Sequence, residues 1–300
     1  MAETRITESL FVTASDGLRL HVQQYGTRTA QTLPVVCLPG LARTTADFDV
    51  LAPALARLRR PRQVIAIDSR GRGQSDYDSN SANYNLAAEL ADVMTVLRAL
   101  EIRPAVFIGS SRGGLLTMLL GAANPAALAG AVLHDIGPVI EPAGLARIKS
   151  YVGKLPTPRS FAEGADILRR MSATQFPKLT DAQWLAAAQR TWVARDGKLT
   201  PTYDIRLADL LAEVDPGHPL PAMWNEFDAL AGVPILVIRG ANSDILSKAT
   251  VETMRAHHSG LETIEVPDQG HVPLLDNPDL IARIVAFVER CDAGVTSLRR

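Results

Sequence analysis

The amino-acid sequence predicts an α/β protein built around a largely parallel β-sheet. Short apolar runs without alternation recur along the chain, which is typical of strands buried on both faces of such a sheet. Helical patterns fill the intervals between them, most clearly at 48–58, 86–100 and 115–123, and this alternation favours a doubly wound domain. The predicted strands are Val35–Leu38, Val64–Ile67, Ala105–Ile108, Ala131–Leu133 and Ile235–Ile238, with an antiparallel hairpin over 12–23 before them.

The composition of the 300-residue chain narrows the classes of protein to which it can belong. A hydrophobic content of 47% is enough for a well-packed core. Basic and acidic residues are nearly balanced, 31 against 32, which argues against binding to nucleic acid or to an anionic membrane. The start Met1–Ile6 lacks the pattern of a signal peptide, and no apolar run approaches the roughly 20 residues of a membrane helix. We therefore expect a cytoplasmic protein. The sequence leaves the oligomeric state open, and a homo-oligomer is one of the possibilities.

The cysteines and histidines do not form a metal-binding pattern. Cys37 and Cys291 are far apart in the sequence, and no further ligands lie at metal-binding spacing. Cys37 falls within an apolar strand, where cysteine usually acts as a small buried hydrophobe. His257 and His258 fall on a predicted helix, where a solvated position is the simplest interpretation. We predict no metal site.

The alternation of strands and helices breaks between about residues 137 and 230. The apolar spacing in this segment is helical, and the segment contains all three tryptophans, Trp184, Trp192 and Trp224. One interpretation is a set of connecting helices with a small core of their own. We favour a helical cap over the carboxyl edge of the sheet, because open α/β sheets bind ligands at that edge. The predicted domains are a core formed by 1–136 and 231–300 and a cap formed by 137–230.

The segment Gly109–Gly113, with the sequence Gly-Ser-Ser-Arg-Gly, carries the clearest functional signal. It follows an apolar strand and precedes an apolar helix, which places Ser111 at a sharp strand-to-helix turn. The flanking glycines are needed because larger side chains would collide with the strand and the helix. Such a turn exposes the hydroxyl beside the free N–H groups of a helix start. Small residues also fill ordinary turns, but this context favours Ser111 as a nucleophile and Ser110 as a packing residue.

A serine nucleophile needs a base and an acid that orients the base. His271 follows the strand-like run 263–266, and Asp244 follows the predicted strand at 235–238. Both therefore lie at the sheet edge that carries Ser111, and the order serine, aspartate, histidine is a known order for a catalytic triad. We predict that His271 is the base and that Asp244 orients it.

Two other aspartates compete with Asp244 for the orienting role. Asp135 directly follows the predicted strand at 131–133, so it also reaches the catalytic edge. A turn or hinge residue before the cap is the alternative interpretation of Asp135. Asp268 is nearer to His271 in the sequence but belongs to the same loop, so its direction is harder to predict.

An oxyanion hole requires two backbone N–H groups that point at one position. We predict that the first belongs to Arg112, at the start of the helix after the nucleophile. The second is predicted to belong to Leu41, in the segment Leu38-Pro39-Gly40-Leu41 that follows the first parallel strand. Gly40 allows close approach of the backbone, and Pro39 has no N–H group to donate.

Taken together, these segments make the sequence resemble the α/β-hydrolase superfamily over essentially its whole length. The matching segments are Leu38–Leu41, Asp68–Ser75, Gly109–Gly114, Asp244 and Gly270-His271. They look most like the capped, esterase-like bacterial members. The resemblance implies an eight-stranded, mostly parallel sheet with the cap inserted after the sixth strand, no cofactor, and cleavage of a small-molecule carboxylic ester through an acyl-enzyme. The fold also hosts carbon–carbon hydrolases, lactonases and receptor-like binding proteins, which the motifs leave open.

The residues that select the substrate are less clearly marked. Serine at the nucleophile position argues against epoxide hydrolases and haloalkane dehalogenases, which carry aspartate there. Arg112 departs from the family pattern, in which a neutral side chain or histidine often follows the nucleophile. It either pairs with a carboxylate in the packing or, with Arg43, binds a carboxylate of the substrate. Four aromatic residues are candidates to line the pocket or to pack the interior of the cap: Trp184, Trp192, Trp224 and Phe227. We favour Trp224 and Phe227 as lining residues, because they lie nearest the point where the cap rejoins the sheet.

Overall fold

The computed structural model describes residues 7–58, 60–212, 215 and 219–298, with side chains up to residue 293. Within these residues the chain forms an eight-stranded β-sheet. The start Met1–Ile6 lies outside the described residues. The strands are β1 (Thr7–Thr13), β2 (Arg19–Tyr25), β3 (Val35–Leu38), β4 (Val64–Ile67), β5 (Ala105–Ser110), β6 (Leu128–His134), β9 (Ile235–Gly240) and β10 (Glu262–Val266). Their order in space is β1-β2-β4-β3-β5-β6-β9-β10. Because β2 alone among these runs against its neighbours, the predicted mostly parallel sheet is confirmed.

Helices connect the strands, as the alternation in the sequence predicts. They are α1 (Leu51–Ala56), α2 (Leu86–Ala99), α3 (Arg112–Ala123), α4 (Pro142–Tyr151), α5 (Phe161–Ser172), α6 (Asp181–Thr191), α7 (Trp224–Asp228), α8 (Lys248–His257) and α9 (Pro278–Leu298). The helix predicted at 48–58 is shorter because a 3₁₀ helix, Thr45–Phe48, precedes it. The helix predicted at 115–123 starts earlier, directly after Ser111. None of the described helices is long and apolar enough to span a membrane.

The two faces of the sheet carry separate hydrophobic clusters, which explains the unalternated apolar runs. Val36 and Phe107 point to one face, together with apolar side chains of α2 and α3. Their chain neighbours Val35 and Val106 point to the other face, where they join side chains of α1 and α9. All four side chains are fully buried. Every position of a central strand therefore favours an apolar residue, and polar residues accumulate where the strands end.

The segment between β6 and β9 forms the predicted insertion, with a small core of its own around Trp184 and Trp192. It contains α4 to α7, a 3₁₀ helix (Ile205–Leu211) and a two-stranded hairpin of β7 (Trp192–Arg195) and β8 (Lys198–Pro201). The hairpin differs from the purely helical prediction. Its two-residue turn, Asp196-Gly197, has φ values of 50° and 75°, and an Asp-Gly pair is a strong hairpin signal because both residues tolerate this left-handed region.

Candidate active site

Ser111 lies on a sharp turn between β5 and α3, at the carboxyl edge of the sheet. Its φ of 50° and ψ of −116° are unusual for a residue other than glycine and cost on the order of 1–3 kcal/mol. A Cβ atom at Gly113 would lie 2.0 Å from the carbonyl oxygen of Leu38, and one at Gly109 would lie 2.4 Å from the carbonyl oxygen of Gly113. The close approach of strand and helix thus requires both glycines, as predicted, and the turn directs the serine hydroxyl away from the sheet.

The Ser111 hydroxyl is the first member of a continuous chain of hydrogen bonds. Its Oγ lies 2.8 Å from Nε2 of His271, and Nδ1 of the same ring lies 2.8 Å from Oδ2 of Asp135. The imidazole is 5% exposed and the carboxylate is fully buried. Asp135 also accepts hydrogen bonds from the N–H group of Gly240 and from the hydroxyl of Ser243, both at 2.6 Å. These donors fix the direction of the carboxylate, and the carboxylate in turn fixes the ring of His271.

The structure corrects the prediction that Asp244 contacts His271. Asp244 instead forms an ion pair with Arg147 of α4, with bonds of 2.6 and 2.8 Å. Burial favours a raised pKa for Asp244, but the bonds from Arg147 and Gln175 outweigh it and hold the pKa below its ordinary value. The carboxyl ends of β6 and β9 lie side by side. Asp135 directly follows β6 with a φ of 54° that turns it towards His271, whereas Asp244 lies further beyond β9, where the insertion supplies an arginine.

Asp268, the other alternative for the orienting acid, pairs with a lysine, and the imidazole Nδ1 is bonded to Asp135. The Asp268 carboxylate lies 2.7 Å from Nζ of Lys178, which is largely exposed, whereas Asp268 is partly exposed. The same loop carries His271 at its far end, so a position close in sequence does not bring the two side chains into contact. Asp135 is therefore the carboxylate that the fold brings to His271.

The predicted oxyanion donors belong to segments that adjoin Ser111. A Cβ atom built on Gly40 would lie 3.6 Å from Cβ of Ser111, so the loop that carries Leu41 passes directly beside the nucleophile. Arg112 is the first residue of α3. Among the described residues, neither the Leu41 nor the Arg112 backbone N–H group has a hydrogen-bond acceptor. Two unused N–H groups near Ser111 are what an oxyanion hole at this serine would require.

A cavity of about 490 Å³ opens above Ser111 and His271. The loop containing Gly40 forms one wall, and the inserted segment forms the opposite wall. Apolar side chains from the insertion that line it are Ile148, Leu155, Leu168, Phe176, Leu179 and Trp184. Polar and charged side chains, among them Asp47 and Arg190, also reach the cavity. A concave, mostly apolar cavity with polar groups is typical of a small-molecule site.

Trp224 and Phe227 do not line this cavity, which corrects the prediction that they do. The ring of Trp224 stacks on His257 at a centroid distance of 4.5 Å, and it contacts the edge of Phe227 at 6.0 Å. Phe227 is 1% exposed and belongs to the core on the α2 and α3 face of the sheet. Their helix, α7, packs against α3. Trp224 and Phe227 are near the end of the insertion in sequence, but their helix lies against α3 and not over the cavity. Trp184 is the tryptophan that lines the cavity.

Comparisons with known proteins agree with this architecture. A family model described as the alpha/beta hydrolase family matches residues 35–284. The chain belongs to the α/β-hydrolase family. It is 34% identical over 255 residues to a 3-hydroxybutyrate-oligomer hydrolase of Cupriavidus necator, covering 83% of this chain and 85% of that protein. It is 23% identical over 241 residues to a 2-(acetamidomethylene)succinate hydrolase of Mesorhizobium japonicum, covering 80% and 83%.

A solved structure extends the likeness to nearly the whole chain. The crystal structure of an α/β-hydrolase from Novosphingobium aromaticivorans is 40% identical and superposes with a TM-score of 0.87, covering 96% of this chain and 99% of that one. The relatives named here are hydrolases, so the cavity and the serine belong to a fold that hydrolytic enzymes use.

Arg112 of this α/β-hydrolase is a packing residue, the first of the two predicted alternatives. Its guanidinium binds the buried carboxylate of Glu89 at 2.7 and 3.2 Å and the carbonyl oxygen of Tyr84 at 3.2 Å. Arg43 does line the cavity. However, it already forms a two-point ion pair with Asp47 and donates to the hydroxyl of Thr191 at 3.1 Å. Neither predicted arginine is therefore free for a substrate carboxylate.

Arg190 is a cavity residue that the sequence did not indicate. It lies at the end of α6, and its nearest carboxylate is that of Asp47 at 3.6 Å, already bound to Arg43. Beyond this long ion pair, no hydrogen bond from the guanidinium is seen among the described residues, and the side chain is 24% exposed. The sequence does not mark Arg190 as a cavity residue, because only the fold shows which face of α6 meets the cavity.

Ser110 and His134 form a second hydrogen bond beneath the nucleophile. Ser110 Oγ and His134 Nδ1 are 3.0 Å apart, and both side chains are buried. Burial lowers the pKa of His134 to about 4, so the ring is neutral at pH 7. The His134 carbonyl oxygen also accepts the N–H group of Ser111 at 2.9 Å. Ser110 is thus a packing residue, as predicted, and this pair supports the strained turn from below.

Proposed function

We propose that this α/β-hydrolase cleaves carboxylic esters through an acyl-enzyme on Ser111. The observation that carries the proposal is the hydrogen-bonded chain from Ser111 through His271 to Asp135 at the base of a cavity. The hydroxyl, base and buried acid stand in the order that activates a serine for attack on a carbonyl group. The cavity gives a small ester access to that hydroxyl.

In the first half of the proposed reaction, Ser111 Oγ attacks the ester carbonyl while Nε2 of His271 accepts the hydroxyl proton. Asp135 holds the opposite ring nitrogen and stabilises the imidazolium that forms. The N–H groups of Leu41 and Arg112 donate to the oxyanion of the tetrahedral intermediate. As the intermediate collapses, His271 passes the proton to the leaving alcohol and the carbon–oxygen bond breaks.

In the second half, a water molecule attacks the acyl group on Ser111. His271 accepts a proton from the water and then returns it to Ser111 Oγ, which releases the carboxylic acid and restores the free enzyme. His271, Asp135 and the two N–H groups serve both halves, since each half forms and breaks one tetrahedral intermediate.

The substrate that we propose is a small ester of a hydroxy acid with a free carboxylate. The 34% identical relative is named for the hydrolysis of 3-hydroxybutyrate oligomers, which carry such a carboxylate. Arg190 supports this choice, because a guanidinium with unused donors on a partly buried wall favours an anion. The other acidic groups nearby are bound elsewhere: Asp49 accepts from the hydroxyl of Tyr25 and Asp276 from the amide of Gln183.

Replacing Arg190 with glutamine is expected to raise KM for a 3-hydroxybutyrate dimer about tenfold, since a charge-assisted hydrogen bond contributes roughly 1.5–3 kcal/mol and part of that is recovered by glutamine. The methyl ester of the same dimer should show little change. Arg169→Gln is the matched control, because Arg169 lies on the inserted segment but pairs with Asp181 at the surface. Equal effects on the acid and its methyl ester would contradict carboxylate binding by Arg190.

Trp184 and Phe227 are both buried, but only Trp184 lines the cavity, so acyl-chain preference should respond to one and not to the other. Trp184→Ala should shift acyl-chain preference towards longer chains, because it enlarges the cavity. Phe227→Ala should leave that preference unchanged and lower the free energy of unfolding by roughly 3–5 kcal/mol, since Phe227 is a core residue. Turnover of p-nitrophenyl esters of two to eight acyl carbons, with thermal or urea unfolding of each variant, measures both effects. A changed preference in Phe227→Ala would contradict this assignment.

The proposal as a whole is tested by turnover of two substrate classes. We expect saturable hydrolysis of short p-nitrophenyl esters and of a 3-hydroxybutyrate dimer. A vinylogous diketone, the substrate type of carbon–carbon hydrolases, should turn over far more slowly. Faster turnover of the diketone, or tight binding of esters without turnover, would contradict ester hydrolysis.

A further inference from the structure

The two predicted oxyanion donors are linked to the same buried carboxylate, that of Glu89 on α2. Glu89 is 1% exposed and lies between two guanidinium groups. Its Oε1 is 2.8 Å from Nη1 of Arg72, and its Oε2 is 2.7 Å from Nε of Arg112. One carboxylate thus holds two arginines that come from different parts of the chain.

Each of these arginines controls one side of the oxyanion hole. Arg112 contributes one of the two N–H groups from its own backbone. Arg72, which is fully buried, donates from Nε to the carbonyl oxygen of Leu41 at 2.8 Å. Leu41 is the residue whose N–H group forms the other side. The path from one donor to the other therefore runs Leu41, Arg72, Glu89, Arg112.

We propose that Glu89 is a positioning residue of the oxyanion hole, an inference that rests on the proposed function. Its carboxylate fixes the distance between the Leu41 loop and the start of α3 by holding an arginine bound to each. It also separates two positive charges that would otherwise repel each other. An oxyanion hole works because its donors are already in place when charge develops, so a displacement of either donor lowers the rate of the chemical step.

The same network accounts for Asp68–Ser75, a segment of the resemblance that has no role in the triad. This segment carries Arg72, which reaches back to the Leu41 loop. It also accounts for arginine at position 112, since a neutral residue there could not form an ion pair with Glu89. These residues thus connect the loop after β3, the loop after β4 and the start of α3.

A neighbouring ion pair provides a matched control. Arg70 and Asp92 lie on the same two elements as Arg72 and Glu89, and their two bonds are both 2.7 Å. Asp92 is almost as buried as Glu89. Arg70 makes its other ion pairs with Asp16 and Asp78, on the side away from Ser111. Loss of this pair removes a comparable buried interaction without touching the oxyanion donors.

The experiment compares Glu89→Gln with Asp92→Asn. For each variant it measures kcat, KM, resistance to urea, and inhibition by an alkyl boronic acid, which forms a tetrahedral adduct on the serine. Both variants should unfold more easily. Glu89→Gln should lower kcat by about 10–100-fold with KM nearly constant, since displacement of a reacting group by about 1 Å costs on that order. It should weaken boronic acid binding by a similar factor. Asp92→Asn should leave kcat and boronic acid binding nearly unchanged.

Equal losses of kcat in the two variants, or an unchanged kcat in Glu89→Gln, would overturn the positioning role. If Glu89→Gln does not fold, Arg112→Gln takes its place in the test, because it removes the ion pair between Arg112 and Glu89 and Arg112 is partly exposed. An unchanged kcat in Arg112→Gln would also overturn the positioning role of Glu89. Ser111→Ala is assayed in parallel. If Ser111→Ala kept full activity, the proposed function itself would be wrong, whereas an inactive Ser111→Ala beside a fully active Glu89→Gln would remove only the positioning role.

Discussion

Replacing Ser111 with alanine is expected to lower kcat/KM for esters by about 10⁴-fold or more, because it removes the atom that forms the acyl-enzyme. Stability should change little, within about 1 kcal/mol, since the lost hydroxyl makes a single hydrogen bond to His271. The measurement is steady-state hydrolysis of p-nitrophenyl acetate and of a 3-hydroxybutyrate dimer, with urea unfolding of the same preparations.

Ser110→Ala is the control for this prediction, because Ser110 precedes the nucleophile and bonds to His134 rather than to His271. We expect it to lose no more than about tenfold in kcat/KM, in line with a supporting hydrogen bond. Similar activity in wild type and Ser111→Ala, or a larger loss in Ser110→Ala, would contradict the assignment of the nucleophile.

Replacing Asp135 with asparagine is expected to lower kcat by about 10⁴-fold while the fold persists. An asparagine amide would donate to Nδ1 of His271 and would leave the proton of the neutral ring on Nε2. In that tautomer Nε2 cannot accept the proton of Ser111, so the base is lost although its position is kept. Kinetics at pH 7 and a circular dichroism spectrum of the variant measure the two parts of the prediction.

Asp244→Asn should lose no more than about tenfold, because Asp244 forms a partly exposed ion pair with Arg147 rather than a bond to His271. The ranking of the two variants is therefore the point of the test. A severe loss in Asp244→Asn beside a mild one in Asp135→Asn would restore the assignment that the sequence favoured.

The sheet and the elbow could be predicted because both follow from local rules. Unalternated apolar runs such as Val35–Leu38 mark strands with two buried faces, and the strand positions agree closely with the structure. At the elbow, the spacing of Gly109, Ser111 and Gly113 follows from the contact distances between strand and helix. These constraints act over a few residues, so the sequence contains them.

The orienting acid could not be settled in this way. Asp135 and Asp244 follow adjacent parallel strands at the same sheet edge. Their roles differ because of the direction of one backbone turn and the arrival of Arg147 from the insertion. Contacts between distant segments decide such cases, and a sequence read along its length shows only that both aspartates reach the edge.

The same reason explains the misplaced pocket residues. Trp224 and Phe227 are near the end of the insertion in sequence, but α7 packs on α3 below the sheet edge. Arg190 and Glu89 were missed because a charged residue in a helical pattern is usually solvent-exposed. Their importance depends on which face of α6 or α2 meets the site.

The central claim is that His271 and Asp135 activate Ser111 as a nucleophile, and labelling with a fluorophosphonate ester tests it most directly. The wild-type protein is treated with the reagent, digested, and mapped by mass spectrometry, beside Asp135→Asn and Asp244→Asn. We expect one phosphonylated peptide with the adduct on Ser111, rapid labelling of Asp244→Asn, and labelling of Asp135→Asn slower by orders of magnitude. An adduct on another residue, no adduct, or equally rapid labelling of Asp135→Asn would contradict the account.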